Sequence, residues 1–376
     1  MLHVATTDMS LELLLRPQFE AFIEAGYEII TASAAGRYVA SLEAAGIRHI
    51  ALDNATREMD PRRDAKTVRE MVRLFRRERP DIVHTHNPKP GWFGRVTARA
   101  AGVKGVVNTV HGLYATTTDS RSRRAVIYGL ERAASAFSDV ELVQNPEDVR
   151  ILRRLGIPAH KLVTLGNGID LARFVVPTPE RRAHARQELG LADDEIAIGA
   201  VGRLVWEKGL RQVFDAAGQL PWRVENARVL VIGPLDPAKP DGLGPRDLAR
   251  IESESGVRFL GERTDMELVY HALDIYALAS HREGFPRAAM EAAASGVPVV
   301  ASDIRGSRQV VEHGRTGLLF PVRDACELAE AITVLSKDPR RRAEMGAAAR
   351  QKAELEFDQR RVIDLTLATY EELLAR

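Results

Sequence analysis

Two basic residues on one loop, and two carboxylates eight positions apart further on, are the side chains of this 376-residue sequence best suited by type and spacing to do chemistry. The run EIAIGAVG leads straight into RLVWEKGL, so Arg203 and Lys208 sit on a segment that enters a helix, just after Gly202. Helix-start N–H groups, an arginine fork and a lysine point charge together suit a diphosphate, including one that leaves as an anion. Taken alone, the same loop also suits surface charges, with Trp206 as packing. Residues 280–320 read SHREGFPRAAMEAAASGVPVVASDIRGSRQVVEHGRTGLLF. Glu283 falls on a turn with Gly284, Phe285 and Pro286, and Glu291 falls within the following small-residue helix. Carboxylates so separated can accept hydrogen bonds from hydroxyls at two parts of one ligand, and a carboxylate near such a helix suits a ribose diol. The alternative is a turn residue and a helix-solvating residue.

These loops need elements to hold them. Short β-branched runs alternate with amphipathic stretches from end to end, which predicts an α/β fold of parallel sheets covered by helices on both faces. Strands are expected near 2–7, 27–33, 47–52, 81–86, 104–110, 139–145 and 161–165. A linker is expected over 169–182, where Pro177 and Pro179 favour an extended connection. A second series follows near 195–202, 226–232, 257–260, 273–279, 297–302 and 316–320, with a helical tail from about 323. In doubly wound sheets ligands bind outside the carboxyl ends of the strands, so the chemistry should lie at strand ends.

The composition, 45% hydrophobic, 28% charged and 6% aromatic, excludes collagen-like, disordered and disulfide-stapled classes, and the length suits two domains. Cys326 is the sole cysteine, so an internal disulfide and a thiolate metal site are excluded and a reducing, cytoplasmic setting is expected. No stretch reaches eighteen uncharged apolar residues, and the start lacks a signal-peptide pattern. Residues 1–172 hold 24 Lys and Arg against 20 Asp and Glu, whereas the remainder holds 29 against 32. The basic excess concentrates in residues 57–79 and at Arg121, Arg123 and Arg124. Such patches suit phosphate or an anionic membrane surface as well as a solvated helix face. Without interleaved aromatics they do not suggest nucleic acid.

Strand ends in the first half carry HTHNPKPG and NTVHGLY, with His111 and Gly112 closing the second. A lone histidine there suits a structural hydrogen bond as well as catalysis. His84 and His86 alternate along one strand and share a face, without an obvious third metal ligand. No Asp-x-Asp occurs, so a metal-assisted transfer is unsupported, and no G-x-G-x-x-G follows the first strand, so a nicotinamide fingerprint is missing.

With GRLVWEKGL, HREGFPRAAMEAAASGVPVV and GLLFPVRD, the chain resembles the retaining glycosyltransferases of family 4, the group 1 glycosyltransferases, over essentially its whole length. The resemblance implies the GT-B architecture: two Rossmann-like doubly wound domains facing across a cleft, with a helical C-terminal tail. Domains would span 1–172 on the acceptor side and 173–357 on the nucleotide-sugar side, with 358–376 crossing back to the first. It further implies that Arg203 and Lys208 hold the donor diphosphate, Glu291 the ribose and Glu283 the transferred sugar. Gly202 and the backbone at Gly284, Phe285 and Arg287 would complete donor binding, and His111 would contact the donor sugar near the reacting centre. Asp8, Ser10, Lys89 and Gly112 are the acceptor-side candidates. The sequence departs from many members in having Asp8, Met9 and Ser10, instead of a glycine-rich turn, after the first strand. Ser10 is a candidate helix cap and Pro17 a candidate helix opener or kink. The co-substrate would be a nucleotide sugar, UDP-linked, with no metal required. Two lobes of similar size suggest closure, with the 169–182 linker and the terminal crossing helix as hinges. The opening of the chain and the segments HTHNPKPGWFGR, NTVHGLY and DIRGSRQVV resemble the subgroup acting on polyprenyl-diphosphate-linked sugars; a cytoplasmic transferase of that kind would use the 57–79 and Arg121–Arg124 patches to sit peripherally on the inner face of the cytoplasmic membrane. A sugar-nucleotide 2-epimerase shares this architecture, and a transferase with a soluble acceptor is the other alternative.

Overall fold

The structure, a computed structural model, describes residues 1–86, 88–116, 119–236, 239 and 241–376. Asn87, in the HTHNPKPG motif, lies outside them. The chain forms two compact units, Met1–Gly166 with Arg360–Arg376, and Asn167–Gln359. These bounds stand beside the expected divisions after 172 and 357.

The first unit holds a seven-stranded sheet of β1 (Leu2–Thr7), β2 (Ile30–Ala34), β3 (Arg48–Ala51), β4 (Ile82–His86), β5 (Gly105–Val110), β6 (Val140–Val143) and β7 (Leu162–Thr164). Their order across the sheet is β3-β2-β1-β4-β5-β6-β7, and every neighbouring pair is parallel. The second unit holds β8 (Ile196–Val201), β9 (Ala227–Ile232), β10 (Arg258–Gly261), β11 (Ile275–Leu278), β12 (Val299–Ser302) and β13 (Gly317–Phe320), ordered β10-β9-β8-β11-β12-β13 and again all parallel. All thirteen expected strands form, because central strands buried on both faces read as near-continuous apolar runs. β4, β5, β11 and β12 are buried throughout. Helices cover the sheets, and the tail folds as Ala325–Lys337, Pro339–Glu356 and Gln359–Leu374.

In each sheet the strand order reverses once, between β1 and β4 and between β8 and β11. At those points consecutive crossovers leave in opposite directions, so the carboxyl ends of two central strands open side by side. The loops of interest leave from these ends.

The linker ends sooner than its prolines suggested. Pro179 opens the helix Pro179–Glu188, where a missing N–H breaks no helical bond, and the Thr178 hydroxyl accepts from the Arg181 N–H. Upstream, Ile169 exchanges backbone hydrogen bonds with Phe357 and Gln359. A Cβ at Gly168 would lie 2.4 Å from the Gln359 Cα, so only glycine fits that approach. At the first turn, Ser10 caps nothing with its side chain; it ends a three-residue helical turn that continues as a π-helical stretch, Leu11–Leu15. Pro17 then lies in the first turn of Arg16–Glu24.

The helix Pro88–Ala100, which follows β4, is anchored by a buried ion-pair network. The fully buried Arg95 donates to Glu141 at 2.5 Å and to Glu131 at 2.6 Å. Trp92 Nε1 and Asn108 Nδ2 donate to the outer oxygens of the same carboxylates. Removing one member strands buried charge. Arg95→Ala should therefore lower the stability of the first unit by about 3–5 kcal/mol, read as a shift of its transition in a urea melt.

Candidate active site

In the second unit, the loop after β8 carries Gly202, Arg203 and Lys208, and the loop after β11 carries Ser280 to Phe285. The two loops meet. Gly209, at φ +71°, passes so close to β11's end that a Cβ would lie 1.9 Å from the Ala279 carbonyl oxygen. Only glycine fits that crossing. It brings Lys208 Nζ to 2.6 Å from Glu283 Oε1, which also accepts from the Ser280 hydroxyl at 2.7 Å. Gly306 closes the other side, where a Cβ would lie 2.6 Å from the Glu283 carbonyl oxygen. Arg203 pairs with Asp236 at 2.6 Å. A second charged set lies alongside, with Arg282 and Lys239 both paired to Glu207.

Glu291 lies in the helix Arg287–Ala294, whose N-cap, Pro286, offers no side-chain cap. One Glu291 oxygen accepts from Arg287 Nε at 3.1 Å and the other from the Tyr270 hydroxyl at 3.0 Å. Burial pushes its carboxyl above the ordinary 4.5, outweighing Arg287 and Tyr270, which act in the opposite direction. The Phe285 carbonyl accepts from Asn167 Nδ2 at 3.0 Å, and its ring packs edge-on against Phe357. Arg203, Lys208, Glu283 and Gly202 thus gather at one switch point, while Glu291 stands one helix away on its own supports. Asp236, Tyr270 and Asn167 were missed from sequence, since each reaches its partner from a separate segment without a motif of its own; Ser280 was missed although it opens the 280–320 stretch.

In the first unit, His111 follows β5 and its Nε2 lies 3.1 Å from His86 Nδ1. Burial lowers its pKa from 6.5 to about 4, against a hydrogen bond to the Gln144 side chain that favours the charged ring, so it is neutral at neutral pH. Gly112 beside it has φ +126°. The acceptor-side candidates are braced. Asp8 is buried and accepts from the Met9 and Tyr38 N–H groups, and a Cβ at Gly36 would run into its carboxylate. Lys89 pairs with Asp64 and donates to Thr56 Oγ1 and the Glu58 carbonyl. His84 and His86 do have a neighbour that spacing alone could not reveal: His3, opposite His84 in the β1–β4 register.

A profile described as glycosyl transferases group 1 matches residues 181–352, and one described as Glycosyltransferase Family 4 matches residues 19–173. The D-inositol 3-phosphate glycosyltransferase of Saccharomonospora viridis is 30% identical over 78% of this chain and 70% of its own length. The chain belongs to glycosyltransferase family 4. This glycosyltransferase is also 29% identical, over 73% of its length and 71% of the relative's, to the Escherichia coli UDP-Gal:alpha-D-GlcNAc-diphosphoundecaprenol alpha-1,3-galactosyltransferase. Among solved structures, Anabaena HepE in complex with UDP and glucose matches with a TM-score of 0.80 at 22% identity, covering 98% of both chains. The glycosyltransferase therefore has the GT-B fold.

The raised carboxyl of Glu291 gives a test with a definite sign. A carboxyl whose folded pKa exceeds its unfolded one favours folding when protonated, and that contribution is lost as pH rises through the folded value. Glu291→Gln should therefore be more stable than wild type at pH 7 in urea melts. The difference should shrink as pH falls through the raised value toward 4.5.

Proposed function

We propose that this glycosyltransferase moves a sugar from a UDP-linked donor, with retention of anomeric configuration, to a hydroxyl of a polyprenyl-diphosphate-linked saccharide. The observation that carries the reading is the pairing of Lys208 with Glu283, next to Arg203 with Asp236, at the switch point of the second sheet. Two cations held at adjacent strand ends form a preorganised seat for a diphosphate. The solved HepE structure holds UDP and glucose, which supports the donor class, and the E. coli relative's name supports the acceptor class.

In this reading Glu291 accepts from the ribose diol, with its orientation held by Tyr270 and Arg287. Arg203 and Lys208 neutralise charge as the bond between the anomeric carbon and the diphosphate oxygen breaks. The acceptor oxygen bonds to the same face of that carbon, and its proton passes to the departing phosphate oxygen. Glu283 suits hydroxyl binding better than attack, because its Oε1 is already committed to Lys208 and Ser280. Gly284, Phe285, Arg287 and Gly202 line the donor side in this proposal, and His111 contacts the sugar. Gly112 and Ser10 would line the acceptor side, with Asp8 and Lys89 holding their loops.

The lipid-linked acceptor draws support from the helix Pro61–Glu78, which exposes Arg62, Arg63, Lys66, Arg69, Arg73, Arg76 and Arg77, and from the exposed Leu13 and Leu14. Basic side chains near an anionic leaflet contribute roughly 1 kcal/mol each. No helix among the described residues is long and apolar enough to cross a membrane, so the contact proposed is adsorption.

The test is mass-spectrometric turnover of UDP-, GDP- and dTDP-sugars in chelator, with and without a detergent-dispersed polyprenyl-diphosphate sugar. An α-linked product from an α-linked UDP-sugar, formed only with the lipid acceptor, is expected. Arg203→Ala should slow that transfer by about 3 kcal/mol of barrier. Epimerised donor without acceptor, or an inverted linkage, would contradict the proposal.

A further inference from the structure

Four histidines of the first unit lie together: His3 on β1, His84 and His86 on β4, and His111 after β5. His3 Nδ1 is 3.1 Å from His86 Nε2, and His86 Nδ1 is 3.1 Å from His111 Nε2. His3 stacks on His86 with ring centroids 5.4 Å apart, and Phe19 and Phe22 flank it. His84 stands beside the row, its Nδ1 against the Tyr370 hydroxyl at 2.5 Å and its Nε2 against Thr109 Oγ1 at 2.7 Å. Burial holds His3, His84 and His86 well below the ordinary histidine range, and neighbouring histidines lower each of them further. All the rings are therefore neutral near pH 7.

A neutral imidazole has one N–H and one lone pair, so a row of three rings joined by two hydrogen bonds has only two polarities. In one, each ring donates from Nδ1 toward His111; in the other, each donates from Nε2 toward His3. The two leave different groups at the inner end. His3 Nε2 is buried and finds no hydrogen-bond partner among the described residues. Under the second polarity it would be a buried N–H without an acceptor, and under the first it is only a bare lone pair. Orphaned buried N–H groups are the rarer of the two. At the outer end His111 Nε2 is turned to His86, and the ring's hydrogen bond with the Gln144 side chain favours the charged imidazole, so Gln144 accepts from the ring.

We propose that His3, His86 and His111 form one polarised hydrogen-bond chain that holds His111 as its Nδ1–H tautomer, so that His111 meets a ligand oxygen as a hydrogen-bond donor and not as a base. His3 and His86 are then positioning residues that act through His111. The consequence for the reaction rests on the reading of His111 as the residue that contacts the donor sugar, where a sugar oxygen would accept from Nδ1. A divalent metal is the rival occupant, since ligand nitrogens of His3, His84 and His86 lie within 4.8 Å of one another. Both nitrogens of His84 and both of His86 are already used in hydrogen bonds, so the chain accounts for the cluster without one.

The tautomers can be read directly in long-range proton–nitrogen correlation spectra of the intact, 15N-histidine-labelled protein at pH 7. Of the ten histidines, His3, His86 and His111 should each carry the proton on Nδ1. His3→Leu removes the inner donor, and His111 should then populate both tautomers. His3→Asn restores the donor, because the asparagine NH2 is reached through the same Cβ and Cγ as Nδ1, and His111 should return to one tautomer. In sugar transfer, His3→Leu should lower kcat about tenfold, the worth of one well-placed hydrogen bond, with the donor KM within about twofold and recovery in His3→Asn. Nε2–H on His111 in the wild type, the same His111 tautomer in His3→Leu, or stoichiometric metal in the purified protein would each overturn the chain. A tautomer change with unaltered kcat would overturn its role in transfer. The spectra need no substrate, so the chain can fail or stand separately from the transferase reading.

Discussion

The reversal of strand order in each parallel sheet is the constraint on which the rest of the protein depends. Between β8 and β11 it leaves two carboxyl ends side by side, and the loops that leave them have no room to diverge. Gly209 is the expression of that crowding: a backbone in the left-handed region, pressed on the Ala279 carbonyl, where a methyl group cannot enter. From that contact follow the Lys208–Glu283 pair, the Ser280 bond to the same oxygen and the closure by Gly306. Between β1 and β4 the same reversal sets His3 across from His84 and so assembles a histidine cluster from residues 81 positions apart in sequence.

Both sites are satisfied before any ligand arrives. In the second unit Arg203 and Lys208, the cations proposed to seat a diphosphate, each already have a carboxylate partner that holds the side chain in place. In the first unit the histidines are kept neutral by burial and oriented by one another. Buried charge is costly in stability, as at Glu291, whose carboxyl is pushed up by burial.

Much of this was legible from residue order. Strands that are buried on both faces announce themselves as β-branched runs, so all thirteen could be read, and motifs confined to one loop, such as GRLVWEKGL and the E-x7-E stretch, carried their own signal. What could not be read is whatever depends on which strand lies next to which. Asp236 meets Arg203, Tyr270 meets Glu291 and Tyr370 meets His84 only through packing of distant segments. His3 looked like an unremarkable strand residue, and its importance comes from register. The linker was misjudged at its end because a proline that breaks a helix interior is also well suited to begin one, as Pro179 does.

The central claim is that the cations at the β8–β11 switch point are the seat of a nucleotide diphosphate. Calorimetric titration of the intact chain with UDP tests it most directly, comparing wild type with Arg203→Ala, Lys208→Ala and the surface control Arg121→Ala. The account predicts that each of the first two loses about tenfold or more in affinity, the worth of a charge-assisted contact, while the control binds like wild type. Equal affinities in all four proteins would contradict it.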